Sequence, residues 1–259
     1  MDLLPVVEIQ LFIQAFIQSF ESAYDSSHQH FEGTDIFYYG PEFSVSPHEV
    51  VPYQSILFGL DKTPEELHAL ARSVRFAGDG SYAFQVFHRE SDLGMLKMRF
   101  HALGCQYFLP NLLQSIELPA AGEAPALAID MVRDARQVDL INATFSDFKP
   151  FPAKLAGAQD CTAFVAQIDR QAAGWGYLVF PDAQTAYVGG MFTAPAFRQR
   201  GVASAILNRM HQFAFDKGVK KVLLVPSFMA WTFYSRRGYR TIAHFSTFLP
   251  SEESMSASK

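Results

Sequence analysis

One segment, Met191-Phe-Thr-Ala-Pro-Ala-Phe-Arg-Gln-Arg-Gly-Val-Ala-Ser204, constrains the fold more than any other part of the chain. It reads as a strand end, a turn containing Pro195, and the start of a helix whose apolar stripe is Val202, Ile206, Met210 and Phe213. The turn also leaves main-chain N–H groups unpaired at the positive end of a helix, where an anion such as a pyrophosphate is stabilised. Gly201 and Ala203 are small enough to let phosphates reach the backbone, and Arg198 and Arg200 add full charges. The same residues, taken alone, also suit an ordinary glycine-containing loop with solvated arginines.

Periodicity around this segment predicts a strand at 126–132 and a helix opened by a capping box, Asp134 to Gln137, with Val138, Ile141 and Phe145 on one face. Strands follow at about 162–168 and 175–180, and a third ends near Thr193. The helix from Val202 to Lys217 stops at Gly218, and a buried strand at 219–225 stops at Pro226. Ser227 can cap a short helix reaching Arg237, and Thr241–Phe248 is the last strand. The order is β-α-β-β-β-α-β-α-β.

The first part of the chain reads as helix 5–23, strand 35–40, helix 64–74, strand 81–88, helix 92–102 and a strand from Cys105. Between the two parts lies Glu117-Leu-Pro-Ala-Ala-Gly-Glu-Ala-Pro125, where the charge balance changes sign. Residues 1–126 carry 6 Lys and Arg against 16 Asp and Glu, and residues 127–259 carry 15 against 10. That shift places a boundary between a domain of 1–120 and one of 125–259, with an anionic ligand expected in the basic second part.

Composition removes several alternatives. With 49% hydrophobic residues and 25 Phe the chain buries enough apolar surface to order itself, which excludes disorder. Leu3 to Phe20 is strongly apolar, but Gln10, Gln14, Gln18 and Glu21 recur at helical spacing, which fits a mostly buried helix and not a membrane span. No dense basic run exists, so nucleic acid is not an expected partner. Two cysteines, Cys105 and Cys161, form neither a disulfide framework nor a metal site, and no cleavable leader is read at the N-terminus, so a cytoplasmic, reducing setting is expected.

Arg198-x-x-Gly201-x-Ala203, following a strand, resembles the signature of the GNAT N-acetyltransferase superfamily, and Phe233-Tyr-Ser-Arg-Arg-Gly-Tyr239 resembles the family's second motif at the expected distance. The resemblance covers about 125–250 and implies a mixed α/β GNAT fold there. The first 120 residues form a separate α/β domain outside the resemblance, or a degenerate copy, since Phe100-His-Ala-Leu-Gly-Cys105 faintly echoes the second motif.

The resemblance implies acetyl-CoA as donor, an amine as acceptor (a small molecule, or a protein N-terminus or lysine), and no metal. It assigns the pantetheine arm to Met191, Phe192 and Thr193, with an oxyanion donor near Phe192 or Thr193. It assigns the pyrophosphate to Arg198, Gln199, Arg200, Gly201, Val202, Ala203 and Ser204. Tyr234 is implied as general acid, and Ser227 stands where relatives often carry an Asn that contacts the cofactor. The Glu that serves many relatives as base is missing, since no Glu occurs between residues 124 and 251. An Asp, His244, the N-terminal half or water is left for that role. A non-catalytic acyl-CoA sensor or scaffold, and an acyltransferase with another acyl chain or acceptor, are the alternatives.

Overall fold

The computed structural model describes residues 4–40, 52–78, 80–120, 127–144 and 151–251. Its elements are α1 (Val6–Ala23), β1 (Ser27–Phe31), β2 (Thr34–Tyr38), β3 (Ser55–Gly59), α2 (Pro64–Ser73), β4 (Tyr82–His88), α3 (Leu93–Ala102) and β5 (Cys105–Glu117). There follow β6 (Ile129–Met131), α4 (Ala135–Thr144), β7 (Cys161–Ile168), β8 (Gln171–Val179), β9 (Thr185–Thr193), α5 (Val202–Asp216), β10 (Lys221–Leu224), α6 (Trp231–Ser235) and β11 (Arg240–Pro250).

The expected order of the second half is found, and Gln137 N–H donates to Asp134 Oδ1 at 2.9 Å as a capping residue requires. Phe145 lies outside the described residues. The expected cap by Ser227 is corrected. The residue before α6 is Ala230, no side chain caps it, and Ser227 contributes only its carbonyl, which accepts from Ala230 and Trp231 N–H. Sequence reading missed β1 and β3. The first, Ser-His-Gln-His-Phe, is a polar, exposed edge strand with no apolar alternation to detect, and the second is a five-residue run buried throughout.

All eleven strands among the described residues join one sheet, in the order β1-β2-β3-β4-β11-β5-β10-β9-β8-β7-β6. The strand that closes each half therefore comes from the other. β5 of the first half lies between β10 and β11, and β11 of the second half lies between β4 and β5. The β5–β11 register is two-fold symmetric about the Asn111–Phe245 pair. Thr241 opposite Gln114 mirrors Phe248 opposite Tyr107, and Arg240 opposite Ser115 mirrors Leu249 opposite Gln106, with both register shifts falling at symmetric places. On either side stands a parallel pair, β3 with β4 and β9 with β10. The N-terminal half thus repeats the architecture of the second, and the sheet passes from one half to the other without a gap. Of the proposed junction at 117–125, residues 121–125 lie outside the described set.

Helix α1 fastens the two halves from one face. Its Gln10, Gln14 and Glu21 stay exposed while Ile9, Phe12, Ile13, Ala15 and Ile17 are buried. The Phe12 ring sits 6.0 Å from Phe87 of β4, 5.7 Å from Tyr187 of β9 and 5.7 Å from Phe245 of β11, so one side chain touches both halves. Phe12→Ala removes these contacts and leaves a void, for an expected loss of about 3–5 kcal/mol. Calorimetry should show a single transition moved to lower temperature. Two transitions, one of them unshifted, would contradict the shared core.

Candidate active site

The second parallel pair opens where the first stays closed. β9 pairs with β10 only from Thr185 opposite Lys221 to Val188 opposite Leu224, although β9 itself continues to Thr193. β10 ends there, and Pro226, which has no N–H for a ladder, follows two residues later. On its other edge β9 carries a bulge, with Tyr177 opposite Gly189 but Trp175 opposite Phe192. Gly190 at the bulge has φ +60°, and a Cβ there would lie 2.4 Å from the Tyr177 ring, so glycine is required twice over.

Past Thr193 the chain makes the turn expected from the sequence. Gln199 (φ +61°) and Gly201 (φ +80°) are both left-handed, and α5 begins with no side-chain cap. The first-turn N–H groups of α5 are therefore left for an external acceptor. Beside them lies a cavity of about 400 Å³, lined by Thr193, Phe197, Arg198, Gln199, Gly201, Val202, Ala203, Ser204, Phe233 and Arg237. Arg198 Nε donates to Thr193 O at 3.3 Å, and Arg200 lies 5.4 Å from the Phe197 ring centre.

Seven of the residues singled out from sequence line this cavity. Met191, Phe192, Arg200, Ser227 and Tyr234 are not in its lining. Sequence reasoning passed over Arg237, although it stands inside the second motif. Its guanidinium lies 3.7 Å over the Phe233 ring, donates to Phe233 O at 3.0 Å and donates to Ser204 Oγ on the first turn of α5. Burial holds it below its usual pKa. Among the described residues neither Arg198 nor Arg237 has a carboxylate partner. Two cations without counter-ions beside an uncapped helix start are a fit for a pyrophosphate.

Tyr234 is 5% exposed and packs edge-on against Phe233 (4.9 Å) and Tyr239 (5.6 Å). Burial raises its pKa to about 12, so at neutral pH it is a hydrogen-bond donor. His244 stands elsewhere, in a cavity of about 510 Å³ beside His88 and Glu90, with Nε2 4.0 Å from the Glu90 carboxylate.

The first half presents the same geometry with the opposite chemistry. At the start of α2, Thr63 Oγ1 accepts from Glu66 N–H while Glu66 Oε2 accepts from Thr63 N–H, and Glu65 and Glu66 place two carboxylates in the first turn. This helix start is already satisfied and repels an anion. The position matching Tyr234, four residues before Gly104 as Tyr234 is before Gly238, is Phe100. The β3–β4 ladder also runs on to Gly59 opposite Val86, so no gap opens there.

Residues 130–239 match the model of the acetyltransferase (GNAT) family, and this C-terminal half is a GNAT acetyltransferase domain. Among solved structures, the chain is similar to a GCN5-related N-acetyltransferase from Kribbella flavida, with 17% identity and a TM-score of 0.67 over 93% of this chain and 95% of that one. It is also similar to a functionally unknown conserved protein from Staphylococcus epidermidis, at 18% identity and TM-score 0.57 over 76% and 83%. A third is the C-terminal domain of a putative lysylphosphatidylglycerol synthetase from Agrobacterium fabrum, at 14% identity and TM-score 0.51 over 96% and 95%. At these identities the likeness is one of fold, and the first and third extend it over the N-terminal half. No curated protein matches the sequence.

The α5 scaffold gives a pH-dependent prediction. His211 is 8% exposed, its Nε2 lies 2.7 Å from the Tyr239 hydroxyl, and burial lowers its pKa to about 4. As pH falls from about 6.5, the unfolded chain takes up a proton that the folded chain refuses, so stability drops down to about pH 4. Urea melts at pH 7 and 4.5 should show His211→Gln losing about 2–3 kcal/mol less than the parent over that interval.

Proposed function

We propose that the protein is an N-acetyltransferase that moves an acetyl group from acetyl-CoA to an amine by direct attack in a ternary complex. The observation that carries this reading is the uncapped start of α5, with Arg198 and Arg237 beside it, at the point where β9 and β10 part. Bound acetyl-CoA supplies an activated thioester whose carbonyl the amine attacks. Gln199 to Ser204 hold the pyrophosphate with their main chain, and the edge of β9 beyond Val188 receives the pantetheine arm. A main-chain N–H on that edge stabilises the negative charge that develops on the carbonyl oxygen.

Tyr234 donates a hydrogen bond to the departing sulfur. A phenol at about 12 is a weaker acid than a thiol near 8.5, so the hydroxyl stabilises the thiolate without surrendering its proton outright. The amine that has just formed the new bond is the stronger acid and completes the protonation.

In the division into residues 1–120 and 125–259, the first unit is given the role of walling the acceptor cleft; its α1 packs against β9 of the second unit, with the Phe12 ring 5.7 Å from Tyr187. A cytoplasmic setting is in keeping with Cys105 and Cys161, both free and buried, whose thiol pKa values burial pushes to about 11 and about 12. Among the described residues no helix is long and apolar enough to cross a membrane. A second reading, transfer of a longer acyl chain, is favoured by Phe228, Met229 and Trp231, exposed at 96%, 89% and 49% just before Phe233 of the cavity wall. Turnover across acyl-CoA chain lengths separates the two.

Gly201→Asp adds a side chain at φ +80° and a negative charge where phosphates are held. Calorimetry with acetyl-CoA should show binding largely abolished, and a folded variant of unchanged affinity would remove the assignment. Tyr234→Phe removes a positioned hydrogen-bond donor and should lower kcat by about 10²–10³ with little change in acetyl-CoA affinity. Steady-state kinetics beside a thermal melt would show it, and unimpaired turnover rejects the role.

A further inference from the structure

Gln114 is fully buried, at 0% exposure, on the strand that the first half inserts into the second. It stands between Leu224, the last residue of β10, and Thr241 of β11, level with the point where β9 and β10 separate. Its Nε2 donates to Ser235 Oγ at 3.3 Å and to Thr241 Oγ1 at 3.5 Å, and its Oε1 has no partner among the described residues. Ser235 is the neighbour of Tyr234 on α6. A buried acceptor left without a donor weakens a fold, and an apolar side chain would remove the penalty.

The internal two-fold shows what that apolar alternative is. Gln114 lies ten residues after Gly104 and corresponds to Phe248, ten residues after Gly238, while Tyr234 corresponds to Phe100. Phe100 and Phe248 stack face to face, with centroids 4.1 Å apart and planes 15° apart, both fully buried. In the half whose helix start is closed to anions, this pair of positions is filled by two rings. In the half with the open strand pair, the same two positions hold a phenol and an amide.

We propose that Gln114 is a positioning residue, supplied by the N-terminal half, that holds α6 so that the Tyr234 hydroxyl meets the leaving sulfur. The inference rests on the acetyl-transfer reading of Tyr234 given above. Its amide ties Ser235 of α6 to a point of β5 that is itself fixed against Thr241 of β11, so the short helix cannot shift along the sheet without breaking the bond to Ser235. A five-residue helix has little cooperative stability of its own, which makes such a tether necessary.

The test is a double-mutant cycle on the full chain with Gln114→Leu, Tyr234→Phe and the pair. Turnover is read as free thiol released from acetyl-CoA with a panel of primary amines, affinity by calorimetry with acetyl-CoA, and folding by thermal melt. Gln114→Leu should lower kcat by about tenfold or more and leave acetyl-CoA affinity within about twofold. Added to Tyr234→Phe, it should cause no further loss of kcat, because both act on one interaction. Gln114→Met, close in shape, is the substitute if the Leu variant does not fold, and carries the same expectation.

A Gln114 variant with parental kcat, or losses that multiply in the double mutant, would overturn the positioning role while leaving the acetyl-transfer reading in place. Unimpaired Tyr234→Phe would remove the role of Tyr234 and this proposal with it. Absence of thiol release by the unmutated protein with every amine would remove both together.

Discussion

Between Asn111 of β5 and Phe245 of β11 the main-chain ladder crosses a local two-fold axis, and the rest of the molecule is arranged about that antiparallel pair. Each strand follows a helix and a glycine with positive φ, Gly104 at +74° and Gly238 at +88°, and each inserts beside the parallel pair of the opposite half. Main-chain hydrogen bonds, which every residue but proline must satisfy, thereby commit each half to the other. A buried edge at β10 or β4 would otherwise have no partner. The shared face is then sealed by α1, where Phe12 packs on Phe87, Tyr187 and Phe245 together.

Duplicated geometry with divided chemistry is the second theme. Both halves connect the strands of a parallel pair through a helix, but at the start of α2 a capping box of Thr63 and Glu66 takes up N–H groups, while α5 follows Gly201 with no side-chain cap. Both have a ring four residues before the turn glycine, Phe100 in one and Tyr234 in the other. Two more rungs of ladder keep β3 and β4 together past the level at which β9 and β10 part. In the first half a capping box and stacked phenylalanines fill the equivalent positions, and in the second a polar residue of β5, Gln114, reaches Ser235 of α6, the helix that carries Tyr234, and Thr241 of β11.

Much of the second half is legible in the sequence. The 3.6-residue stripe of α5, the alternation and length of its strands, and the stop signals at Gly218 and Pro226 are local properties, as is the positive φ required of Gly201. The residues from Arg198 to Ser204 proposed to hold the pyrophosphate are contiguous, so a motif read along the chain finds them. Arg237 was overlooked because its role depends on the distance from α6 to Ser204, which no spacing within the second motif reveals. The polar edge strand β1 and the uniformly buried β3 carried no alternation to read.

By itself, then, the sequence determined which segments become strands and helices in the second half, and where a left-handed glycine opens α5, because periodicity, glycine and proline act over a few residues. Tertiary structure alone decided that β5 and β11 exchange places, that the first half repeats the architecture of the second, and that Gln114 stands beside α6. Those outcomes turn on pairing between strands more than a hundred residues apart, such as Gln114 with Thr241. Hydrogen-bonding groups on the main chain are the same in every residue, so the choice of partner leaves no local mark and is settled only by which faces can be buried together.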